Sequence, residues 1–128
     1  MPNYQGVWSL SEQYQNASGW PEGPLSGDIG LFAGGQTTST PRVNTIQHIN
    51  IASSGNGTDF GDLSEARMAI GTVSNSTRGI FGGGNEQTAG NVDTIEYVTI
   101  STLGNTTNFG TLSTVRQWNS GVSNDTRG

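Results

Sequence analysis

The stretch Gly30-Leu31-Phe32-Ala33-Gly34-Gly35 returns in the same chain as Gly79-Ile80-Phe81-Gly82-Gly83-Gly84, 49 positions later. The offset holds without an insertion, because aligning residues 30–78 with residues 79–127 gives 21 identities at 49 positions. So many identities in a chain of 128 residues indicate an internal duplication. A repeat of about this length with paired glycines is typical of radially arranged β-sheets, the blades of a propeller.

Each repeat contains strand-length runs of residues separated by residues that favour turns. The complete second unit has four predicted strands, at Met68–Ser74, Arg78–Gly83, Thr94–Ser101 and Thr106–Leu112. The first unit supplies strands two to four, between Ile29 and Ser64, and the opening strand of a further unit is expected at Gln117–Ser123. We therefore predict an all-β fold of four-stranded antiparallel sheets that repeat about every 49 residues.

The repeat divides the chain into four predicted regions. Residues 1–28 precede the repeat, residues 29–66 form a first and partial blade, residues 67–112 form a second blade, and residues 113–128 start a further blade. A propeller needs about 4–8 blades, and fewer than three stacked repeats are rarely stable. The sequence leaves two alternatives: further repeats follow in the native polypeptide, or several copies close a ring together. We expect the first.

The segment before the repeat is predicted to contain a short helix and to anchor the chain. Ser9 and Glu12 have the spacing of a capping box, residues 13–17 can continue a helix, and Ser18-Gly19 supplies a stop. Because a helix of two turns is marginal in isolation, we expect it to dock, either on the rest of its own domain or on a partner protein, and disorder is the third alternative. The residues expected to form this anchor are Tyr4, Val7, Trp8, Leu10, Tyr14 and Trp20.

The composition limits the classes of partner. The chain carries ten carboxylates, five arginines and no lysine, for a net charge of −5 at pH 7, which weighs against nucleic acid and an anionic membrane. The absence of cysteine excludes disulfides and thiolate metal sites. With 20 glycines and only 30% hydrophobic residues, the chain can bury a thin core, so we expect its stability to depend on stacking between repeats or copies.

These repeats resemble kelch-type blades. In that family a hydrophobic strand ends in a double glycine, aromatic residues follow on the third and fourth strands, and an arginine opens the next unit. The matching residues here are Gly34, Gly35, Gly83, Gly84, Tyr97, Phe60, Phe109, Arg67 and Arg116. This chain departs from the pattern at His48, which replaces the third-strand aromatic in the first repeat, and at the two phenylalanines, which stand where kelch proteins usually have tryptophan. The resemblance implies kelch-like β-propeller blades.

Three further strings are similar to kelch-like arrays in virion and tail proteins of tailed bacteriophages. They are Thr94-Ile95-Glu96-Tyr97-Val98-Thr99-Ile100, Thr58-Asp59-Phe60-Gly61-Asp62-Leu63 and Ser76-Thr77-Arg78-Gly79. Residues 1–14 are similar to the N-terminal segment that heads many such phage proteins. The resemblance implies a structural protein of the virion, of the tail-fibre type, assembled in the host cytoplasm. The family has no shared catalytic residues.

No set of residues in the sequence predicts catalysis, a metal site or a cofactor. A single histidine, with no cysteine and no lysine, cannot form a set of nucleophile, base and orienting residue, and His48 is read as a structural aromatic that replaces Tyr97. Asn56, Asp59 and Asp62 have oxygen ligands at a spacing that suits Ca²⁺. The second repeat loses both carboxylates at these positions, so turn-forming residues are the preferred interpretation.

Four arginines are the only charged residues that stand at the same place in both repeats, and they form the pairs Arg67/Arg116 and Arg78/Arg127. Two roles suit an arginine that is retained in this way: an ion pair between blades, or a hydrogen bond to a buried carbonyl. We expect one or the other.

We therefore expect a non-enzymatic structural protein of a tailed phage particle. The N-terminal segment would attach to other virion proteins, further copies of the chain would assemble with it, and loops 36–42 and 85–93 would contact a glycan or protein of the host surface. Two alternatives remain open. One is a cellular kelch-type propeller that binds a protein or a glycan, and the other is a carbohydrate-active enzyme with paired carboxylates about 5–10 Å apart.

Overall fold

A computed structural model describes residues 28–124 and shows an all-β protein. No helix is found among these residues, and the predicted N-terminal helix and its anchor residues lie outside them. The strands are β1 Ile29–Ala33, β2 Thr45–Asn50, β3 Thr58–Asp62, β4 Arg67–Met68, β5 Gly71–Ser74, β6 Arg78–Gly82, β7 Asn85–Glu86, β8 Gly90–Asn91, β9 Thr94–Thr99 and β10 Thr107–Thr111.

The strands form three antiparallel sheets. The first sheet has the order β1-β2-β3, the second sheet has the order β10-β9-β6-β5, and a small third sheet has the order β4-β7-β8. The first two sheets are meanders, in which each strand pairs with the next long strand along the chain. None of the sheets described in residues 28–124 closes on itself.

The first sheet and three of the four strands of the second sheet are structural copies of each other. Strands β1, β2 and β3 correspond to β6, β9 and β10, and both ends of each pair differ by 49 residues, as in 78 − 29 and 82 − 33 for the first pair. The pairing registers also agree, because Ile29 opposite Asn50 is repeated as Arg78 opposite Thr99. The duplication in the sequence is therefore a duplication of strand bounds and of register.

Both sheets carry the same β-bulge on their last strand. The register shifts at Phe60 in β3 and at Phe109 in β10, so that one extra residue faces the neighbouring strand. The glycine that follows has φ of 151° at Gly61 and 154° at Gly110, a conformation that other residues rarely adopt. The repeated Phe-Gly pair in the sequence is thus the signature of the bulge.

The double glycines end the second strand of each unit because the backbone must turn and approach another chain segment closely. Gly34 and Gly83 have φ of 64° and 66°. A side chain at Gly83 would lie 2.7 Å from the carbonyl oxygen of Arg116, and one at Gly34 would collide with the carbonyl oxygen of Arg67. Those two carbonyls accept hydrogen bonds from the next glycines, since Gly35 N and Gly84 N each lie 2.9 Å away.

The hydrophobic core lies between the first and second sheets. The buried side chains are Ile46, Phe60 and Leu63 from the first sheet and the segment after it, and Phe81 and Val98 from the second sheet. Leu31, Ala33 and Ile70 pack against this cluster. Each sheet has two faces. We call the face that carries Ile46 in the first sheet and Ile95 in the second sheet the front face. We call the face that carries Phe32 in the first sheet and Phe81 in the second sheet the back face.

Three details of the predicted strands were wrong. The opening strand of the second unit is not continuous, because Ala69 has φ of 57° and separates β4 from β5. The loop after the double glycine contains the β7–β8 hairpin, which pairs with β4. Residues 117–123 form no strand, although they run beside β5, where Ser74 N donates to Ser123 Oγ at 3.2 Å.

Candidate interaction surfaces

A buried ion pair joins Arg67 in β4, whose backbone is hydrogen-bonded to Val43 and Gly35 of the first repeat, to Glu96 in the second sheet. The side chains of Arg67 and Glu96 are 0% and 3% exposed, and Arg67 Nη2 contacts Glu96 Oε2. Arg67 follows the last strand of the first sheet, whereas Glu96 lies on the back face of the second sheet in β9. The guanidinium also donates from Nη1 to Thr94 O at 3.5 Å. Both residues lie within residues 67–112, the predicted second blade, so the expected ion pair between two blades stays a prediction.

The second oxygen of the Glu96 carboxylate is also occupied. Oε1 accepts from Ser64 N at 3.2 Å and from Thr106 Oγ1 at 3.1 Å. A charge buried in protein is tolerated only when it is paired and hydrogen-bonded, so these donors from both sides of the interface match the requirement. The arrangement fixes the relative position of two sheets and has no group poised for chemistry on a substrate.

The equivalent arginine of the second unit has the same backbone contacts and a different side-chain environment. Arg116 N donates to Val92 O at 3.2 Å, as Arg67 N donates to Val43 O at 3.3 Å. The Arg116 side chain is exposed, and its Nε donates to Thr114 O at 3.4 Å. Within residues 28–124, no carboxylate forms an ion pair with Arg116 as Glu96 does with Arg67.

The front face of the second sheet is an open apolar surface. Phe109 is 53% exposed, although its equivalent in the first sheet, Phe60, is only 2% exposed. A cavity of about 220 Å³ lies on the same face, between β5, β6 and β9 and residues 119–121. The apolar residues that line this cavity are Val73, Ile80, Ile95 and Leu112. Three of these, Ile80, Ile95 and Leu112, are the equivalents of Leu31, Ile46 and Leu63, which line the core.

The back face of the first sheet is open in the same way. Phe32 is 62% exposed, whereas its equivalent Phe81 is 2% exposed and belongs to the core. Ile49 lies on the same face as Phe32 and is the equivalent of the buried Val98. Gln47, the equivalent of Glu96, is exposed there. Each open face of the molecule therefore has a covered counterpart within the same chain.

The third-strand aromatic residues pack in the same geometry in both repeats. His48 contacts Phe60 with ring centroids 5.8 Å apart, and Tyr97 contacts Phe109 at 6.0 Å, both edge to face. His48 thus occupies the place of a structural aromatic ring. Arg78 lies over the Tyr97 ring at 4.7 Å from its centroid, a cation–π contact at the edge of the second sheet.

The loops form two opposite edges of the sheets, because successive strands are antiparallel. Loops 34–44 and 83–93 share one edge, which we call the upper edge, where the guanidinium of Arg42 donates to Asn85 Oδ1 and Asn85 Nδ2 donates to Asn91 Oδ1 at 2.8 Å. Loops 51–57, 75–77 and 100–106 share the lower edge. A cavity of about 580 Å³ opens beside loop 75–77 and is lined by Ile29, Ile51, Ile100 and polar residues.

The residues considered for calcium do not form a compact cluster of oxygen ligands with other acids. No group of three or more histidine, aspartate or glutamate side chains suited to a metal ion occurs in residues 28–124. The backbone N–H of Asp62 donates to Asn105 Oδ1 of the other repeat at 3.0 Å. Within the same part of the chain, no helix has the length and apolar character needed to span a membrane.

Sequence reasoning missed four of the residues that matter at these faces, namely Glu96, Thr106, Phe32 and Gln47. The signal was present at one position, because Glu96 in one repeat and Gln47 in the other is a change of charge at equivalent places. No protein-family model matches this sequence, and no curated protein matches it.

Proposed function

We propose that this chain is a non-enzymatic structural protein of a tailed phage particle, associated with the tail or its fibres and built from kelch-like propeller blades. The proposal is supported by the similarity of the strings at residues 58–63, 76–79 and 94–100 to such phage arrays. It is carried by one observation: two sheets with identical strand bounds and registers, 49 residues apart, packed front face to back face. Modules of this kind are scaffolds that extend by repetition.

The interface between the first and second sheets, which we call the joint, suits a mechanical role. A core of five buried apolar residues and a buried ion pair with every oxygen of the carboxylate occupied hold one sheet against the next. The loops of the upper edge, which are exposed at Gln36–Pro41 and Gln87–Ala89, present polar groups to the surroundings. In this proposal the N-terminal segment attaches to other virion proteins, and the upper edge contacts a glycan or protein on the host surface.

Location in purified particles tests the proposal directly. Particles from the source of this chain are purified, and the chain is sought by mass spectrometry and by gold-labelled antibodies in electron micrographs. We expect the chain in the particles and the label at the tail. Its absence from particles, together with its presence among cellular proteins, would refute the virion role and favour a cellular propeller.

Deletion of residues 1–20 tests the anchor. We expect the shortened protein to keep the circular dichroism spectrum of its sheets and to be lost from particles. The matched control is the replacement of Ser53 and Ser54 by alanine on the lower edge, which we expect to leave incorporation unchanged. Normal incorporation of the shortened protein would refute the anchor role of the N-terminal segment.

Substitutions on the upper edge test contact with the host. The exposed turn between β7 and β8 is changed by Gln87→Ala with Thr88→Ala, and adsorption of the particles to host cells is measured. We expect slower adsorption than with the Ser53 and Ser54 control on the lower edge. Equal adsorption rates for both variants would show that the upper edge does not touch the receptor.

A further inference from the structure

We propose that copies of this chain join head to tail, with the back face of the first sheet of one copy seated on the front face of the second sheet of another. The joint between copies would repeat the packing that already exists between the two sheets inside each chain. This proposal concerns assembly only and holds whether or not the protein belongs to a phage particle.

The apolar contacts of the internal joint are available again at the two open faces. Inside the chain, Phe81 and Val98 pack against Leu31, Ile46, Phe60 and Leu63. The equivalents of the first two residues, Phe32 and Ile49, lie on the open back face of the first sheet. The equivalents of the other four, Ile80, Ile95, Phe109 and Leu112, form the open front face of the second sheet. Each open face therefore has the apolar residues that its covered counterpart uses.

Both back faces have a glycine at the position where the two sheets of the internal joint approach each other closely. A side chain at Gly79 would lie 2.9 Å from Leu31 Cδ1, so the internal joint needs a glycine at this position of the back face. The first sheet has Gly30 at the equivalent place, on its open back face. Ile80 of a second copy would fit over Gly30 as Leu31 fits over Gly79.

The groups that form hydrogen bonds across the internal joint have equivalents on the two open faces. Gly104 N donates to Phe60 O at 2.8 Å, Thr106 N donates to Asp62 O at 2.9 Å, and Asp62 N donates to Asn105 Oδ1 at 3.0 Å. The first repeat has Gly55, Asn56 and Gly57 in the exposed loop at the places of Gly104, Asn105 and Thr106. Two backbone donors and the asparagine acceptor are therefore present to meet Phe109 and Thr111 of another copy.

Two polar groups of the internal joint are missing between copies, because Gly57 lacks the hydroxyl of Thr106 and Gln47 replaces Glu96, and this makes the joint between copies the weaker one. Arg116 would stand where Arg67 stands, but it would face Gln47 in place of Glu96. The amide oxygen of glutamine can accept from the guanidinium and leaves its charge uncompensated, which is costly in a buried place. We therefore expect assembly that depends on protein concentration, whereas the internal joint holds in every copy.

The proposal takes the second of the two alternatives that the sequence left, the assembly of several copies, because both halves of the joint lie within these 128 residues. Faces that are complementary to each other, but not each to itself, give head-to-tail contacts that build rings or open filaments. A copy that has lost one face can still use the other. A variant that lacks one face should therefore bind a variant that lacks the other face. Nonspecific hydrophobic association would not give this complementation.

The test uses the 128-residue chain in sedimentation and light-scattering measurements over a range of concentrations. We expect species larger than the 13.4 kDa monomer as the concentration rises. Phe32→Asp and Phe109→Asp each remove one face at an exposed position, so each variant alone is expected to stay monomeric with an unchanged circular dichroism spectrum. A mixture of the two variants is expected to form dimers and to stop there, because only one working face of each kind is present.

Leu103→Asp is the matched control. Leu103 is 52% exposed, similar to Phe32 and Phe109, and its place in the lower-edge loop is outside both faces. We expect this variant to assemble like the unchanged protein. Assembly that Leu103→Asp abolishes equally, or a mixture of the two face variants that stays monomeric, would overturn the head-to-tail arrangement. An unchanged protein that is monomeric at all concentrations would overturn the proposal altogether.

Gln47→Glu gives a further test. A glutamate at this position would form with Arg116 of another copy the ion pair that Arg67 and Glu96 form inside the chain. We expect the dissociation constant to fall by about tenfold or more, since close ion pairs across interfaces couple strongly. Gln87→Glu adds the same charge on the upper edge and is expected to leave the dissociation constant unchanged. Equal effects of the two substitutions would show that Gln47 does not face Arg116.

Discussion

Two faces of this molecule have nearly the same residues and opposite environments. The front face of the first sheet is covered by the second sheet, and its Phe60 is 2% exposed. The front face of the second sheet repeats it, strand for strand, but its Phe109 is 53% exposed. The comparison teaches that the motif residues of a repeat define a surface for packing, and that a neighbouring sheet decides whether this surface becomes a core.

The two equivalent arginines also differ in environment. Arg67 and Arg116 have equivalent backbone hydrogen bonds, but only Arg67 is buried against a carboxylate. Substituting both residues of an equivalent pair therefore shows how much unfolding free energy depends on packing at the joint, because only one member of each pair lies there. Each of the following pairs is measured by urea unfolding at a protein concentration low enough to keep copies apart.

The largest effect is expected at the ion pair. Arg67→Ala leaves the Glu96 carboxylate buried without its counter-charge, which costs about 3–5 kcal/mol of unfolding free energy. Arg116→Ala is expected to leave the unfolding midpoint unchanged, because this side chain is exposed. The double substitution Arg67→Met with Glu96→Leu should recover most of the loss, since it removes both charges. Equal losses at Arg67 and Arg116 would contradict a special role for the joint.

The bulge glycines give the next effect. A side chain at Gly61 would collide with the carbonyl of Gly104, whereas one at Gly110 meets nothing within 4 Å. Both positions have φ near 150°, so Gly→Ala strains the backbone in both sheets. We expect Gly61→Ala to cost about 2–3 kcal/mol more than Gly110→Ala, because only at Gly61 do a collision and a lost hydrogen bond add to the strain that both positions share. A difference near zero would show that the two sheets can separate locally at little cost.

The equivalent phenylalanines on the back faces follow. Phe81→Leu removes part of a fully buried ring, and we expect a loss of about 2 kcal/mol from the missing apolar contacts and the cavity left behind. Phe32→Leu should leave the stability of separate copies unchanged, because Phe32 is 62% exposed. At higher concentration the same substitution should weaken assembly. Loss of stability by Phe32→Leu in dilute solution would contradict the exposed position of this ring.

The smallest effect concerns the hydroxyl that serves the buried carboxylate. Thr106→Val keeps the shape of the side chain and removes the hydrogen bond from Oγ1 to Glu96, at an expected cost of about 1–1.5 kcal/mol. Thr107→Val is the control, because Thr107 is exposed at the start of β10. If the two variants unfold at the same urea concentration, Glu96 is satisfied without the hydroxyl.

Much of the fold could be predicted from particular residues. The turn residues Asn75-Ser76-Thr77 ended one strand and began the next where expected, because Asn75 Oδ1 accepts from Thr77 N and Arg78 N within a local turn. The second, third and fourth strands were predicted to within about two residues of their ends. The break at Ala69 and the β7–β8 hairpin were not predicted, because both depend on pairing with residues far along the chain.

The candidate surfaces were harder to predict. Arg67 was selected because it is retained in both repeats, but its partner was not, since Glu96 is 29 residues away and its own repeat equivalent is neutral. Phe32 was not selected, although it stands in the repeated string that ends in the double glycine. Nothing in the local sequence distinguishes it from Phe81, which lies in the core.

The amino-acid sequence by itself determined the period, the strands and their turns, because turn chemistry and the alternation of apolar residues act over a few neighbouring positions. It also determined that the two sheets would be copies, because equal strings form equal local structure. Only the tertiary structure decided which of two equal surfaces is buried and which arginine has a carboxylate beside it. Burial and charge compensation depend on what packs against a residue, and that neighbour comes from a distant part of the chain or from another molecule.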